Sequence, residues 1–276
     1  MLKLTSARIT ILTAALLASA AAPLAATTAS CTQRDTPNLI FPGDPRWSSA
    51  NNVYNLGTVD ITATNPRSGN GSLEMSTSGS LFDWAFFKRI AEGDGAWGLL
   101  SDINCVSMEW YRQAYTLPEN PPDALTAETW QEQTPVLRLL VYDPRAEQRL
   151  SQLVWEGWYN SRNSVSPTVN GQWNFEDMTG QQFWRHYDGG LTYTNAGCAD
   201  QTFTASADLQ TFSLGNWGAQ CYSSSAQVYG VMVGLGSYWP GPYGGFVDNV
   251  QLGFAGQEGL AVEDNFEFDG PTTATP

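Results

Sequence analysis

Two stretches decide the fold: residues 229–236 read YGVMVGLG, and residues 246–254 read FVDNVQLGF. In the first, Tyr229, Val231, Val233 and Leu235 alternate with Gly230, Met232, Gly234 and Gly236. In the second, Phe246, Asp248, Val250, Leu252 and Phe254 alternate with smaller or polar residues. A period of two is the signature of a strand with one buried face. The same period recurs on both sides of these stretches. Leu73 and Met75 share a face; Val106, Met108 and Trp110 oppose Ser107, Glu109 and Tyr111; Leu137, Leu139 and Val141 alternate around Arg138; Leu153 and Trp155 oppose Glu156 and Trp158. Clusters of Gly, Pro, Asn and Ser separate the runs. The pattern predicts an all-β chain folded as an antiparallel β-sandwich. One or two short helices are expected in its loops, at residues 123–133 (DALTAETWQEQ) and, more weakly, 144–150 (PRAEQRL). On this pattern Trp110, Trp155 and Asp248 point into the core.

Residues 1–26 have the plan of a secretory signal peptide: Lys3 and Arg8, then the apolar run ITILTAALL, then small residues with cleavage after Ala26 or Ala29. The run is shorter than the ~20 residues a membrane-spanning helix needs. A segment 27–35 leads into one domain over residues 36–269, and a tail at 270–276 is expected to be disordered. Localisation is therefore secreted or cell-envelope, extracellular or periplasmic. Cys31 follows Ser30, which leaves open a lipid anchor there, although Thr28 stands where a lipoprotein signal carries Leu. An even count of four cysteines in an exported chain suggests two disulfides. Cys198–Cys221 closes a local loop and is the first choice, which leaves Cys31–Cys105; three connectivities are open. The formal charge is −14, and losing Lys3 and Arg8 makes it −16. So acidic a surface repels phosphate backbones, which argues against nucleic acid, and no nucleic-acid partner is expected.

Chemistry is sparse. Eleven Trp in 276 residues invite a sugar ligand, because indole faces stack on the C–H faces of sugar rings and the indole N–H donates to hydroxyls. The aromatic–carboxylate faces Glu109/Tyr111 and Glu156/Trp158, and Trp239 and Tyr243 of the loop SYWPGPYGG (237–245), are the candidate carbohydrate-binding residues; core packing is the competing use of each. Gly230, Gly234 and Gly236 either bare a floor for a ligand or make room for an aromatic ring of the next strand. His186 is the single histidine, so a Ser-His-Asp triad would rest on it alone. Glu109 and Glu156 are the one pair of carboxylates that suits a glycosidase. The acidic stretch EDNFEFD (263–269) reads as a solvated edge strand. A core-facing Asp248 needs partners, either backbone N–H groups or Ca²⁺.

The two ends of the chain resemble a family. PNLI (37–40), Gly43-Asp44, Trp47 and PRSGNGSL (66–73) at the start, with GFVDNVQL (245–252) at the end, resemble jelly-roll carbohydrate-binding modules of the galactose-binding-like type. The middle segments LVWEGWYN (153–160), FWR (183–185) and VMVGLGS (231–237) resemble secreted bacterial β-sandwich proteins of unassigned function. Many of those carry a C-terminal sorting helix, whereas only GPTTATP follows Asp269 here. The resemblance implies a jelly roll, galactose-binding-like or concanavalin-like. It also implies a structural Ca²⁺ held by Asp248, with oxygens from Asp44, Ser68 and Gly69. The leading expectation is an exported, non-catalytic carbohydrate-binding protein whose partner is a glycan or envelope polysaccharide. A structural surface or matrix protein without a small ligand is the first alternative, and a polysaccharide hydrolase or lyase the second. An exposed aromatic row without a carboxylate pair separates the first from the third; wholly buried aromatics would favour the second.

Overall fold

A computed structural model describes residues 31–80, 82–93, 95–113, 133–146, 149–160, 171–186, 212–236 and 241–269. Sixteen strands are assigned among these residues, in two sheets. They are β1 (Asn38–Ile40), β2 (Trp47–Ser48), β3 (Val53–Tyr54), β4 (Thr58–Thr62), β5 (Ser72–Gly79), β6 (Trp84–Ile90), β7 (Gly98–Leu99) and β8 (Ile103–Arg112). There follow β9 (Val136–Tyr142), β10 (Leu150–Trp155), β11 (Trp173–Asp177), β12 (Gln182–His186), β13 (Phe212–Ser213), β14 (Gln227–Leu235), β15 (Gly241–Phe254) and β16 (Val262–Phe266). Helical turns span Leu100–Asp102 and Gly157–Asn160, and the single described α-helix is α1 (Leu214–Gln220). The first expected helix lies outside the described residues apart from Gln133. The second is not formed where it is described, since Leu150 opens β10.

The period-two runs become strands, except that β10 ends at Trp155 and leaves Glu156 and Trp158 beyond it, and the two sheets stack as the antiparallel sandwich the sequence predicts. The first sheet runs β1-β16-β15-β5-β4, with β8 on the other side of β15 and β11 beyond it; the second runs β13-β12-β10-β9-β14-β6-β2. Met75, Met108, Trp110, Leu139, Leu153, Trp155, Val231 and Val233 meet in one core between the sheets. Trp110 and Trp155 are fully buried there, as expected. At roughly 2 kcal/mol per large apolar side chain, this shared core is the main stabilising term.

The 14-residue β15 organises the first sheet. β8 pairs along one side of it. On the other side β5 pairs with residues 241–247 and β16 with residues 250–252. Asp248 and Asn249 lie at the change of partner. Here the ladder to β8 skips from Asp248 to Gln251, and Asn249 adopts φ 48. The bulge reverses the phase of the strand. Val247, Val250, Leu252 and Phe254 face the core, while Phe246 packs edge-on against Tyr111 on the far side of the sheet. The expectation of one continuous face through residues 246–254 is corrected accordingly: Asp248 occupies the seam. Its carboxylate accepts the N–H groups of Asn249 (2.8 Å) and Phe266 (2.9 Å), and those of Ser68 (N–H 3.4 Å, O–H 3.3 Å). Burial raises its pKa to about 8 against these bonds, and the nearby Glu267 adds to the rise.

A second correction concerns the acidic end strand. β16 is paired on both sides, by β15 and, in parallel, by β1. Asp264 is fully buried and accepts from the Trp47 indole (2.7 Å) and from Arg89. It is no solvated edge.

The N-terminal segment straps the first sheet. Cys31 is disulfide-bonded to Cys105 of β8, across a sequence separation of 74. Gln33 donates to Glu109 (2.8 Å), and Thr36 N–H to the Asn249 side chain (3.0 Å). Cys221 is also disulfide-bonded; Cys198, its expected partner, lies outside the described residues, as do the signal segment and the tail.

Candidate functional site

The core uses only one face of the second sheet. On the other face β6 places Trp84, Phe86, Lys88 and Ile90; β9 places Arg138 and Leu140; β10 leads to Gln152 and Glu156; β12 places Trp184 and His186; and β14 places Met232. With Asn51, Asn52, Tyr229 and Gly236 these line an open groove of about 700 Å³. The register sets the grid. Lys88 and Arg138 both pair with Met232 from opposite sides, Val154 lies opposite Arg138, and Trp184 opposite Val154. A neighbouring row carries Ile90, Gly230, Leu140, Gln152 and His186.

Phe86, Val136, Leu140, Val154, Trp184 and Met232 form an apolar cluster beneath the groove. The two uses weighed for the glycines of β14 divide between them. A Cβ on Gly234 would lie 2.6 Å from Phe86 Cδ1, and one on Gly230 would lie 2.7 Å from Leu140 Cδ1. These two make room for neighbouring side chains. At Gly236 the nearest atoms are 3.8 Å away, and this residue does bare the groove. Phe86, laid across Gly234, carries the Arg138 guanidinium 4.1 Å above its ring, a cation–π contact. Arg138 also donates to Gln152 Oε1 at 2.8 Å. At the rim Tyr54, 52% exposed, stacks on Trp84 at 4.3 Å and 14°. Burial pushes the pKa of Glu156 up to about 7, while Arg138 and the Trp184 indole pull it down. Near neutral pH this carboxyl is therefore present both in the acceptor-only form and in the form that carries an O–H donor.

Of the six residues expected to bind carbohydrate, only Glu156 is in the groove. Glu109 is on the first sheet, 1% exposed, held by Arg67 (2.9 Å), Gln33 and Asn249 (2.6 Å). Tyr111 is half-buried on that sheet beside Trp173 and Phe246. Tyr243 is 5% exposed and packs in the core, under Arg112. Trp158 is 37% exposed but stands on the turn Gly157–Asn160, because β10 stops at Trp155; it does not line the groove. Trp239 lies outside the described residues. Glu109 and Glu156 belong to different sheets, so the glycosidase pair drawn from sequence is not formed. His186 lines the groove, four strand positions from Glu156 or about 13 Å along the ladder.

Of the residues named for calcium, Asp248 and Ser68 meet. Gly69 (φ 64) passes so close to Glu267 that a Cβ would overlap that carboxyl, which accepts the Asn70 N–H at 2.5 Å. Asp44 does not join them; it forms a bidentate pair with Arg46, which holds its carboxyl below the usual range. Among the described residues no group of three or more His, Cys, Asp or Glu converges on a common point.

Sequence reading missed Trp84, Phe86 and Lys88. The signal was present as the alternate residues of WAFFKRI (84–90), with Arg138 as the one charge in the apolar run of β9.

No protein-family model matches the chain, and none of the curated proteins matches it. Among solved structures it is similar to a family 11 carbohydrate-binding module from Clostridium thermocellum, determined with a β-1,3-1,4-mixed-linked tetrasaccharide. The identity is 12%, over 78% of this chain and 93% of that one, with a TM-score of 0.38. The family 11 module of the cellulosomal cellulase Lic26A-Cel5E of the same organism matches at 12% identity over 77% and 90%, TM-score 0.38. The agarase AgWH50C matches at 10% over 76% of this chain and 23% of its own, TM-score 0.34. What the groove takes is decided by its own side chains.

Proposed function

We propose that the protein is an exported, non-catalytic carbohydrate-binding protein, and that a glycan segment lies in the groove on the outer face of the second sheet. One observation carries this reading: the groove combines rim and wall aromatics (Tyr54, Trp84, Trp184, Tyr229) with amide, guanidinium and imidazole groups and one carboxylate. Rings stack on sugar C–H faces, and the polar groups match hydroxyls in plane. Hydrolysis by the usual carboxylate pair needs a second acid across the cleft, and the described lining offers Glu156 alone. Export is supported by the disulfide-bonded cysteines, which favour an oxidising compartment.

The test is calorimetric titration of the chain with a panel of soluble polysaccharides, with release of reducing ends followed in parallel. Trp84→Ala removes the inner ring of the exposed stack and is expected to weaken binding by roughly tenfold or more while leaving the melting temperature within a few degrees. No binding by the folded wild type to any glycan would favour the structural surface role instead. Release of reducing ends would overturn the non-catalytic assignment.

We also propose a structural Ca²⁺ at the seam of β15. Asp248 and the Ser68 hydroxyl meet there, and the Glu267 carboxylate is near enough to raise the Asp248 pKa; these are hard oxygens of the kind calcium takes. The ion would neutralise two adjacent carboxylates and tie β15, β16 and the lead-in to β5 together. Removing it with a chelator is expected to lower the melting temperature by roughly 5–10 °C, recovered by adding Ca²⁺ but not Mg²⁺. An unchanged melting curve would remove calcium from the account.

A further inference from the structure

The chain as a whole carries −14, yet the groove is lined by Lys88, Arg138 and His186 against the single carboxylate of Glu156. A second depression of about 710 Å³ adjoins it over the sheet edge, sharing Lys88 and Ile90 and adding Arg46, Arg89 and Trp97, with Glu92 as its one carboxylate. Four of the eleven Lys and Arg residues that follow residue 26 therefore border this one continuous surface. Two of the four are already committed: Arg46 to Asp44 and Arg89 to the buried Asp264. Lys88 is not. It is one of two lysines in the chain, the other being Lys3. Its cross-strand neighbours are Ser48 and Met232, neither of them acidic. Lys88 is half-buried as a residue where the two depressions join, and among the described residues its ammonium meets no carboxylate and no other hydrogen-bond partner. The stem of Lys88 packs between its neighbours and leaves the ammonium at the groove surface without a protein anion. That arrangement suits a ligand that brings the anion.

We propose that the groove selects an acidic polysaccharide, with Lys88 pairing to an anionic oxygen group of the chain, a carboxylate or a sulfate ester. The inference rests on the carbohydrate reading above and names its substrate class. Lys88 lies where the two depressions join, so a chain laid along the row Trp184–Arg138–Lys88 continues over the sheet edge toward Trp97. Arg138 stands two strands from Lys88, about 10 Å at the Cα atoms, or roughly two strand spacings. That separation lets it serve the hydroxyls or the anionic group of a second sugar. The net charge of the protein works against polyanions over most of the surface, but in the groove Lys88 and Arg138 face the one carboxylate of Glu156, and at physiological salt charges beyond about 8 Å are largely screened.

The experiment titrates the full chain at 150 mM salt with three probes: polygalacturonate for carboxylate, κ-carrageenan for sulfate, and mixed-linkage β-glucan as a neutral chain. Wild type, Lys88→Gln and Lys88→Arg are compared, with melting curves to confirm that each variant is folded. One acidic polymer is expected to bind at least tenfold more tightly than the glucan, and the polymer that does so identifies the anionic group. Lys88→Gln should lose about tenfold on that polymer and less than twofold on any neutral chain it binds, and Lys88→Arg should restore most of the loss. Tight binding of the glucan that is indifferent to Lys88→Gln would overturn the acidic specificity and leave the carbohydrate reading standing. Binding of none of the three would overturn the specificity, and failure across the wider glycan panel would sink both.

Discussion

Replacing Asp248 by alanine is expected to destabilise the protein by about 3–5 kcal/mol, one of the largest effects of any single substitution considered. The reason is positional. β15 exchanges β5 for β16 as its partner at this point, and the exchange leaves the Phe266 and Ser68 N–H groups without a strand to donate to. The carboxylate fills that gap, accepting the Phe266, Asn249 and Ser68 donors together. Alanine leaves them buried and unmatched, at roughly 1–3 kcal/mol for each well-made bond lost. The damage spreads because the Ser68 hydroxyl also accepts from Asn249 Nδ2 (3.2 Å), and the Asn249 amide in turn holds Glu109 and Thr36. Asp248→Asn keeps one oxygen for the Asn249 and Phe266 N–H groups and is expected to cost less than half as much. Urea unfolding with an unchanged m-value measures both. A loss below 1 kcal/mol for the alanine variant would show that the seam is closed by other contacts.

The second large effect separates two glycines two residues apart. Gly234→Val is expected to prevent folding or to destabilise by more than about 4 kcal/mol, because its Cβ would overlap the Ala85 carbonyl oxygen as well as the Phe86 ring. The cross-strand pair Gly234–Phe86 leaves neither side room to give. Gly236→Ala meets only ordinary contacts, at 3.8 Å from Arg138 and 3.9 Å from Val136. It is expected to leave stability unchanged or raise it by up to about 1 kcal/mol. It narrows the groove beside Arg138, so ligand affinity should fall while the melting temperature does not. Expression yield, melting temperature and titration of the two variants side by side give the answer; a well-folded Gly234→Val would refute the close-packing account.

How much of this was legible in the sequence follows from what each signal depends on. The sandwich was legible because Leu137, Leu139 and Val141, or Val231, Val233 and Leu235, report their own burial through a local period. The phase of β15 was not, because a bulge at Asp248–Asn249 adds a residue without any change in composition. β6 concealed the groove for a related reason: Trp84 and Phe86 on one face and Phe87 on the other are all aromatic, so WAFFKRI shows no polar side to read. Glu156 was found by alternation, and Trp158 was misplaced by the same alternation carried one turn past the end of β10. Glu109 looked like a surface carboxylate because nothing near it in sequence announces that Gln33, Arg67 and Asn249 close over it. A site assembled from five strands has no local spacing, and only the pairing registers bring Lys88, Arg138 and Trp184 into one row.

The disulfide between Cys31 and Cys105 has a mechanical consequence. Any tension entering the domain from its amino-terminal side reaches Cys31 first and passes covalently into β8, in the middle of the first sheet. Residues 32–104, which include β1 to β7, hang as a slack loop outside that load path. β6, which carries Trp84, Phe86 and Lys88, is in the slack portion, and the groove faces away from the sheet that takes the strain. A chain tugged from its leading end therefore keeps β6, and with it Trp84, Phe86 and Lys88, unloaded until the sulfur–sulfur bond is reduced.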